Sequence, residues 1–158
     1  MRDESETSPD GDVDIGQILG AEELRLLGEA TAYAAMIEAV AAGIHGALNC
    51  PPDAALETAT TSGKRIGWLL AELESAARPE VAAWAENTRA AIERRHALVH
   101  TAWLFRLRND YGEFVFGTRS HATDYATVLQ PESFTEIRDL CKAMYNSGRR
   151  LSRGLHGI

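Results

Sequence analysis

The chain has 158 residues, 45% of them hydrophobic and 25% charged, and a net charge of −7. That length suits one domain and excludes two full ones, and the proportions exclude collagen-like, coiled-coil and disordered classes. The charge is uneven: residues 1–30 hold nine acids and two arginines, whereas from Arg89 onward there are eleven basic and seven acidic residues. A polyanionic partner would have to meet that second half.

Residues 1–16 combine Asp, Glu, Ser, Pro and Gly with few apolar side chains. They cannot repay the entropy of ordering, so a mobile acidic tail is expected ahead of a helical domain at 17–158. The tail is acidic where a secretory signal would be basic, and the longest nearly apolar run, Tyr33 to Ile44, is shorter than a bilayer requires. A cytoplasmic protein without a membrane span is expected.

From about Ala21, Leu24, Leu27, Tyr33 or Ala34, Ile37, Ile44 and Leu48 recur at helical steps over an alanine-rich background, which predicts a long amphipathic helix. Asn49-Cys50-Pro51-Pro52 stops it. A second helix starts at Ser62, carries Ile66, Leu69, Leu70 and Leu73, and ends near Arg78. Pro79 suits the first turn of a third, in which Val81, Trp84, Thr88, Ala91, Ile92, Leu98, Val99, Ala102 and Trp103 hold a 3.6-residue period.

Leu104–Arg108 and Glu113–Phe116, on either side of Asn109-Asp110-Tyr111-Gly112, predict a short β-hairpin near residues 104–117. A polar connector follows from Thr118 to Gln130. Pro131-Glu132-Ser133 then opens a last helix with Phe134, Ile137, Leu140, Cys141, Met144 and Tyr145, which gathers basic residues at its end, where the helix dipole favours them. His156, in a glycine-flanked tail, is expected to fray. The predicted fold is all-α: an antiparallel four- to five-helix bundle with one hairpin insertion.

Cys50 and Cys141 have no C-x-x-C spacing and read as free thiols. The chemistry concentrates at Glu93-Arg94-Arg95-His96-Ala97-Leu98-Val99-His100. At about 100° per residue, His96 and His100 share a face with Glu93, while Arg95 falls in line with Trp84, Thr88, Ala91 and Ala102. A guanidinium on a packing stripe is costly unless a carboxylate, a ligand or a second subunit meets it. Glu93-x-x-His96 also has the form of a di-iron ligand unit, but no second Glu-x-x-His occurs. His96 with His100 is a candidate metal pair that His45 and His121 would complete only by coincidence of folding. No bound metal is therefore expected.

Arg95, followed by His96 and ending in His100, resembles the R-x4-H motif of the HEPN superfamily, and Arg94 with His100 also meets its looser R-x5-H form. The resemblance implies a helical bundle with the motif late in a long helix, and a homodimer through that third helix that brings two motifs into one cleft. It further implies metal-independent RNA cleavage, with no cofactor, leaving 2′,3′-cyclic phosphate and 5′-hydroxyl ends. His100 would be the acid–base residue, Arg95 the phosphate binder and His96 the residue that orients them. Arg94, Arg149 and Arg150 are candidate RNA contacts. Toxin or phage-defence ribonucleases are the implied setting, with an antitoxin or other regulatory protein as a further partner. Many members of that superfamily instead bind RNA or protein without cutting, and that is the alternative reading.

Overall fold

A computed structural model describes residues 19–48, 62–99, 101–108, 114–120, 126–129 and 132–158. The expected tail at 1–16, Cys50, His100 and His121 lie outside these residues. Four helices form: α1 (Ala21–Ala47), α2 (Ser62–Glu74), α3 (Pro79–Val99) and α4 (Glu132–His156). Between α3 and α4 lie β1 (Thr101–Arg108), β2 (Phe114–Ser120) and β3 (Ala126–Leu129), paired antiparallel in that order. The β1–β2 register runs from Thr101 opposite Ser120 to Arg108 opposite Phe114 and shifts between Trp103 and Phe105.

The third helix ends earlier than expected, at Val99, and Ala102 and Trp103 belong to β1. Both periods fit those two residues. Trp103, Phe105 and Leu107 alternate with the strand's period of two, and that pattern prevails from Thr101 onward.

The apolar stripes meet in two layers along the bundle. In the first, Ile37, Ala41 and Ile44 of α1 pack with Ile66, Leu69, Leu70 and Leu73 of α2 and with Val81, Trp84 and Ala85 of α3. In the second, Leu26 and Ala30 of α1 pack with Leu98 of α3 and Phe134, Ile137 and Cys141 of α4, and Leu19 joins them. By length and composition α1 would suffice to cross a membrane, because its alanines extend the apolar stretch beyond Tyr33–Ile44. One side of it nevertheless lies in the core, where Leu26, Ala30, Ile37, Ala41, Ile44 and His45 are buried.

The helices are not all antiparallel to their neighbours. Along α1 and α4, Glu29 pairs with Arg138, the Tyr33 ring lies tilted against that of Tyr145 and Gly43 lies against Ser152, so both helices run the same way. An up-and-down bundle would oppose its first and last helices. The second helix also follows the direction of α1, with Arg65 beside Glu38 and, further along both helices, Trp68 beside His45.

Glycine sets the α1–α4 distance. A Cβ on Gly148 would sit 2.5 Å from the Trp84 ring and 2.8 Å from Val40, so only hydrogen fits where α4 crosses both. Trp84 Nε1 donates to the Met144 carbonyl at 3.0 Å, tying α3 to the same point. At its end, α4 turns through Gly157 (φ 72°), with the Ile158 amide donating to the Arg153 carbonyl and the Gly157 amide to Gly154. This is a Schellman arrangement, which keeps the helix intact through His156 where fraying was expected.

Candidate functional site

Arginine–glutamate pairs mark every seam of the bundle. Arg65 of α2 meets Glu38 of α1 at 3.3 Å, Arg89 of α3 meets Glu74 of α2 at 2.5 Å, Arg94 of α3 meets Glu136 of α4 at 3.5 Å, and Arg138 of α4 meets Glu29 of α1 at 2.5 Å. Beside Arg138, the Glu29 carboxyl is held below the usual carboxylate range. Arg25 bridges Glu22 and Glu29, and Arg78 pairs with Glu80. Among the described residues, Arg95, Arg149, Arg150 and Arg153 have no carboxylate partner.

Arg95 differs from its neighbours on α3. Trp84, Thr88, Ala91 and Leu98 put the buried stripe of α3 on its side of the helix, and Arg95 is half-buried on that stripe. Its Nε is shut off from solvent and has no hydrogen-bond partner among the described residues. An unpaired donor of this kind costs about 1–3 kcal/mol, more when charged. Arg95 also lies close enough to the buried Cys141 to act on its thiol. Burial pushes that thiol's pKa up, and the guanidinium opposes the rise.

The length of α2 opens the space beside Arg95. With 13 residues against the 21 of α3, α2 is about 12 Å the shorter, so the last turns of α3 run beyond it. The resulting groove, about 650 Å³, is bounded by Thr31 and Ala35 of α1, Ile66 and Leu70 of α2, and Arg95 and His96 of α3. Arg89 and Glu93 also reach it, but Arg89 is engaged by Glu74 and by the Gly67 carbonyl. Most of the wall is apolar, and the cationic contribution without a carboxylate comes from Arg95.

Of the expected site residues, Arg95 and His96 therefore share one groove, with His96 exposed at its edge. His100 lies outside the described residues. Arg94 is exposed, and its guanidinium pairs with Glu136 across the α3–α4 seam. Arg149 and Arg150 are both exposed on α4; the Arg149 guanidinium lies 5.6 Å over the Tyr145 ring.

Among the described residues no three histidine, cysteine, aspartate or glutamate side chains gather as a metal-binding group. His45 is in the core, edge-on to Trp68 with ring centroids 5.2 Å apart, and its Nε2 has no hydrogen-bond partner among the described residues. Its burial was not read from the sequence, where its position one residue after Ile44 was the available signal. The chain was compared with family models, curated proteins and solved structures, and matches none.

Proposed function

We propose that the protein is a metal-independent endoribonuclease of HEPN type, with Arg95 as its phosphate-binding cation. The observation that carries this reading is the state of Arg95: among the described residues it is the one arginine of α3 without a carboxylate partner, its desolvated Nε has no hydrogen-bond partner, and it borders a groove it shares with His96. A phosphate oxygen supplies what that side chain lacks, since a guanidinium binds phosphate through charge-assisted hydrogen bonds. The spacing from Arg95 to His100 is the second support. The likeness to the HEPN superfamily rests on this motif, as the parallel α1–α4 pair departs from the antiparallel layout.

The chemistry needs two proton transfers and one charge clamp. The ribose 2′-oxygen attacks phosphorus, its proton passing to a histidine; the bond from phosphorus to the 5′-oxygen breaks, and that oxygen takes a proton from a second histidine. Arg95 holds the non-bridging oxygens as their charge grows. His100 is the acid–base residue in this reading, and His96 orients it or the phosphate. One chain offers a single His100, so a homodimer through α3 supplies the pair. A cytoplasmic toxin or defence setting, under control of an antitoxin or other regulatory protein, accords with such an activity.

Purified protein incubated with RNA and a chelator should yield fragments ending in 2′,3′-cyclic phosphate. Ends carrying 3′-hydroxyl groups, or activity that appears only on adding a divalent ion, would contradict the proposal. The apolar wall formed by Ala34, Ala35, Ile66, Leu70 and Ile92 favours a second reading, a HEPN-like module that binds RNA or a partner protein without cutting. Absence of cleavage by the wild type, with retained RNA or partner binding, would select it.

A further inference from the structure

The groove between α1 and α4 combines features that neither the core nor the helix dipole explains. It has a volume of about 340 Å³ and is bounded by Met36, Val40 and Gly43 of α1 and by Tyr145, Arg149 and Arg153 of α4. Three of the four described arginines without a carboxylate, Arg149, Arg150 and Arg153, lie on this end of α4, and the sequence holds no acid after Asp139. The dipole favours cations in the last turn alone. Arg149 lies about two turns before the end of the helix, so its placement needs another account.

Two further details bear on the occupant. The Arg149 guanidinium lies 5.6 Å over the Tyr145 ring, which sets a cation and an aromatic ring side by side at the groove. Beside it Met36 is 38% exposed, one of two large hydrophobic side chains on the described surface, the other being Ile158 near the same end of α4. Arg149 and Arg153 are one turn apart, about 6 Å along the helix, close to the step between successive phosphates of an extended strand.

We infer that the α1–α4 groove is a contact surface for single-stranded RNA, with an unpaired base between Met36 and the edge of the Tyr145 ring and successive phosphates at Arg149 and Arg153. The choice of RNA as the polyanion rests on the ribonuclease reading above. A flat base fits a pocket of this size, and contact with an apolar and aromatic wall does not depend on base identity. A duplex keeps its bases paired and offers none to the pocket. The groove thus holds the strand by its backbone, apart from the cutting centre, and should govern substrate binding more than turnover.

The test uses the full chain and a fluorescent 2′-O-methyl oligoribonucleotide, which binds as RNA but lacks the attacking hydroxyl. The Arg149→Gln, Arg153→Gln double variant, both positions being exposed, should retain its melting temperature and bind at least about tenfold more weakly, with a salt dependence lowered by about 1.4 in log–log slope. Arg78→Gln should bind as the wild type. Failure of the wild type to bind, or equal binding by the double variant, overturns the inference. So does equal arginine-dependent binding of an RNA duplex or of phosphatidylserine vesicles. If the oligonucleotide binds through these arginines while unmodified RNA stays intact, the ribonuclease reading fails and the surface stands. If RNA is cut by the double variant at unchanged KM, the reverse holds.

Discussion

Thr88 is fully buried on the packed side of α3, and its hydroxyl has no hydrogen-bond partner among the described residues. Valine has nearly the same shape and no polar atom to desolvate. Thr88→Val should therefore stabilise the fold by about 1 kcal/mol, read as a higher denaturant midpoint at constant m-value. A lower midpoint would mean that the hydroxyl has a partner. Arg95 occupies the same stripe one turn beyond Ala91, and this much was legible from the sequence, because Trp84, Thr88 and Ala91 fix the phase of the helix. The pairing of Arg94 with Glu136 was not legible: it joins residues 42 positions apart in sequence, on helices whose packing had first to be known.

Cys141 gives a second test at this scale. Its thiol is fully buried, and burial raises its pKa above the ordinary value of 9.0 despite the nearby Arg95. In a Cys50→Ser background the native protein should resist a thiol reagent near neutral pH and react only on unfolding. The sign of the linkage follows: the folded state keeps the thiol proton to higher pH than the unfolded chain does. The contribution to stability is therefore complete below about pH 9 and declines as the pH rises from there toward the folded value. Rapid labelling of Cys141 in the native state would contradict its placement.

At the scale of elements, the contact between α4, α3 and α1 at Gly148 is the most demanding in the bundle. A methyl group there meets the rigid Trp84 ring and the Val40 side chain at distances that neither can accept without moving. Gly148→Ala should cost about 1–3 kcal/mol despite the higher helix propensity of alanine, measured by thermal or chemical unfolding. Gly28, with open space around it on α1, is the control: Gly28→Ala should stabilise by up to about 1 kcal/mol. Equal responses at the two positions would show that α4 does not approach as closely as described.

The starts of α3 at Pro79 and of α4 just after Pro131 were readable from local chemistry, since proline fixes the entry to a helix. The end of α3 was not, because Ala102 and Trp103 satisfy the helical and the strand period alike. Nor was the parallel course of α1 and α4. Hydrophobic period marks which side of a helix is buried, but its direction relative to a non-adjacent helix depends on the connections between them. The groove beside Arg95 was implicit in the lengths of α2 and α3, yet it becomes a site only once those helices are placed side by side.

For the molecule as a whole, the proposed ribonuclease combines the Arg95 guanidinium, a short second helix and a basic α4. A homodimer through α3 is the expected state in solution, seen as twice the chain mass by light scattering. A monomer at micromolar concentration would remove the second histidine on which the proposed proton transfers depend.

The most direct test of the central claim is RNA cleavage in the presence of chelator by wild type, Arg95→Ala and His100→Ala, each checked for folding and dimerisation. The account expects fragments with 2′,3′-cyclic phosphate ends from the wild type and a loss of about 10²- to 10⁴-fold in rate for His100→Ala, with a comparable loss for Arg95→Ala. Cleavage at the wild-type rate by both folded, dimeric variants would contradict it.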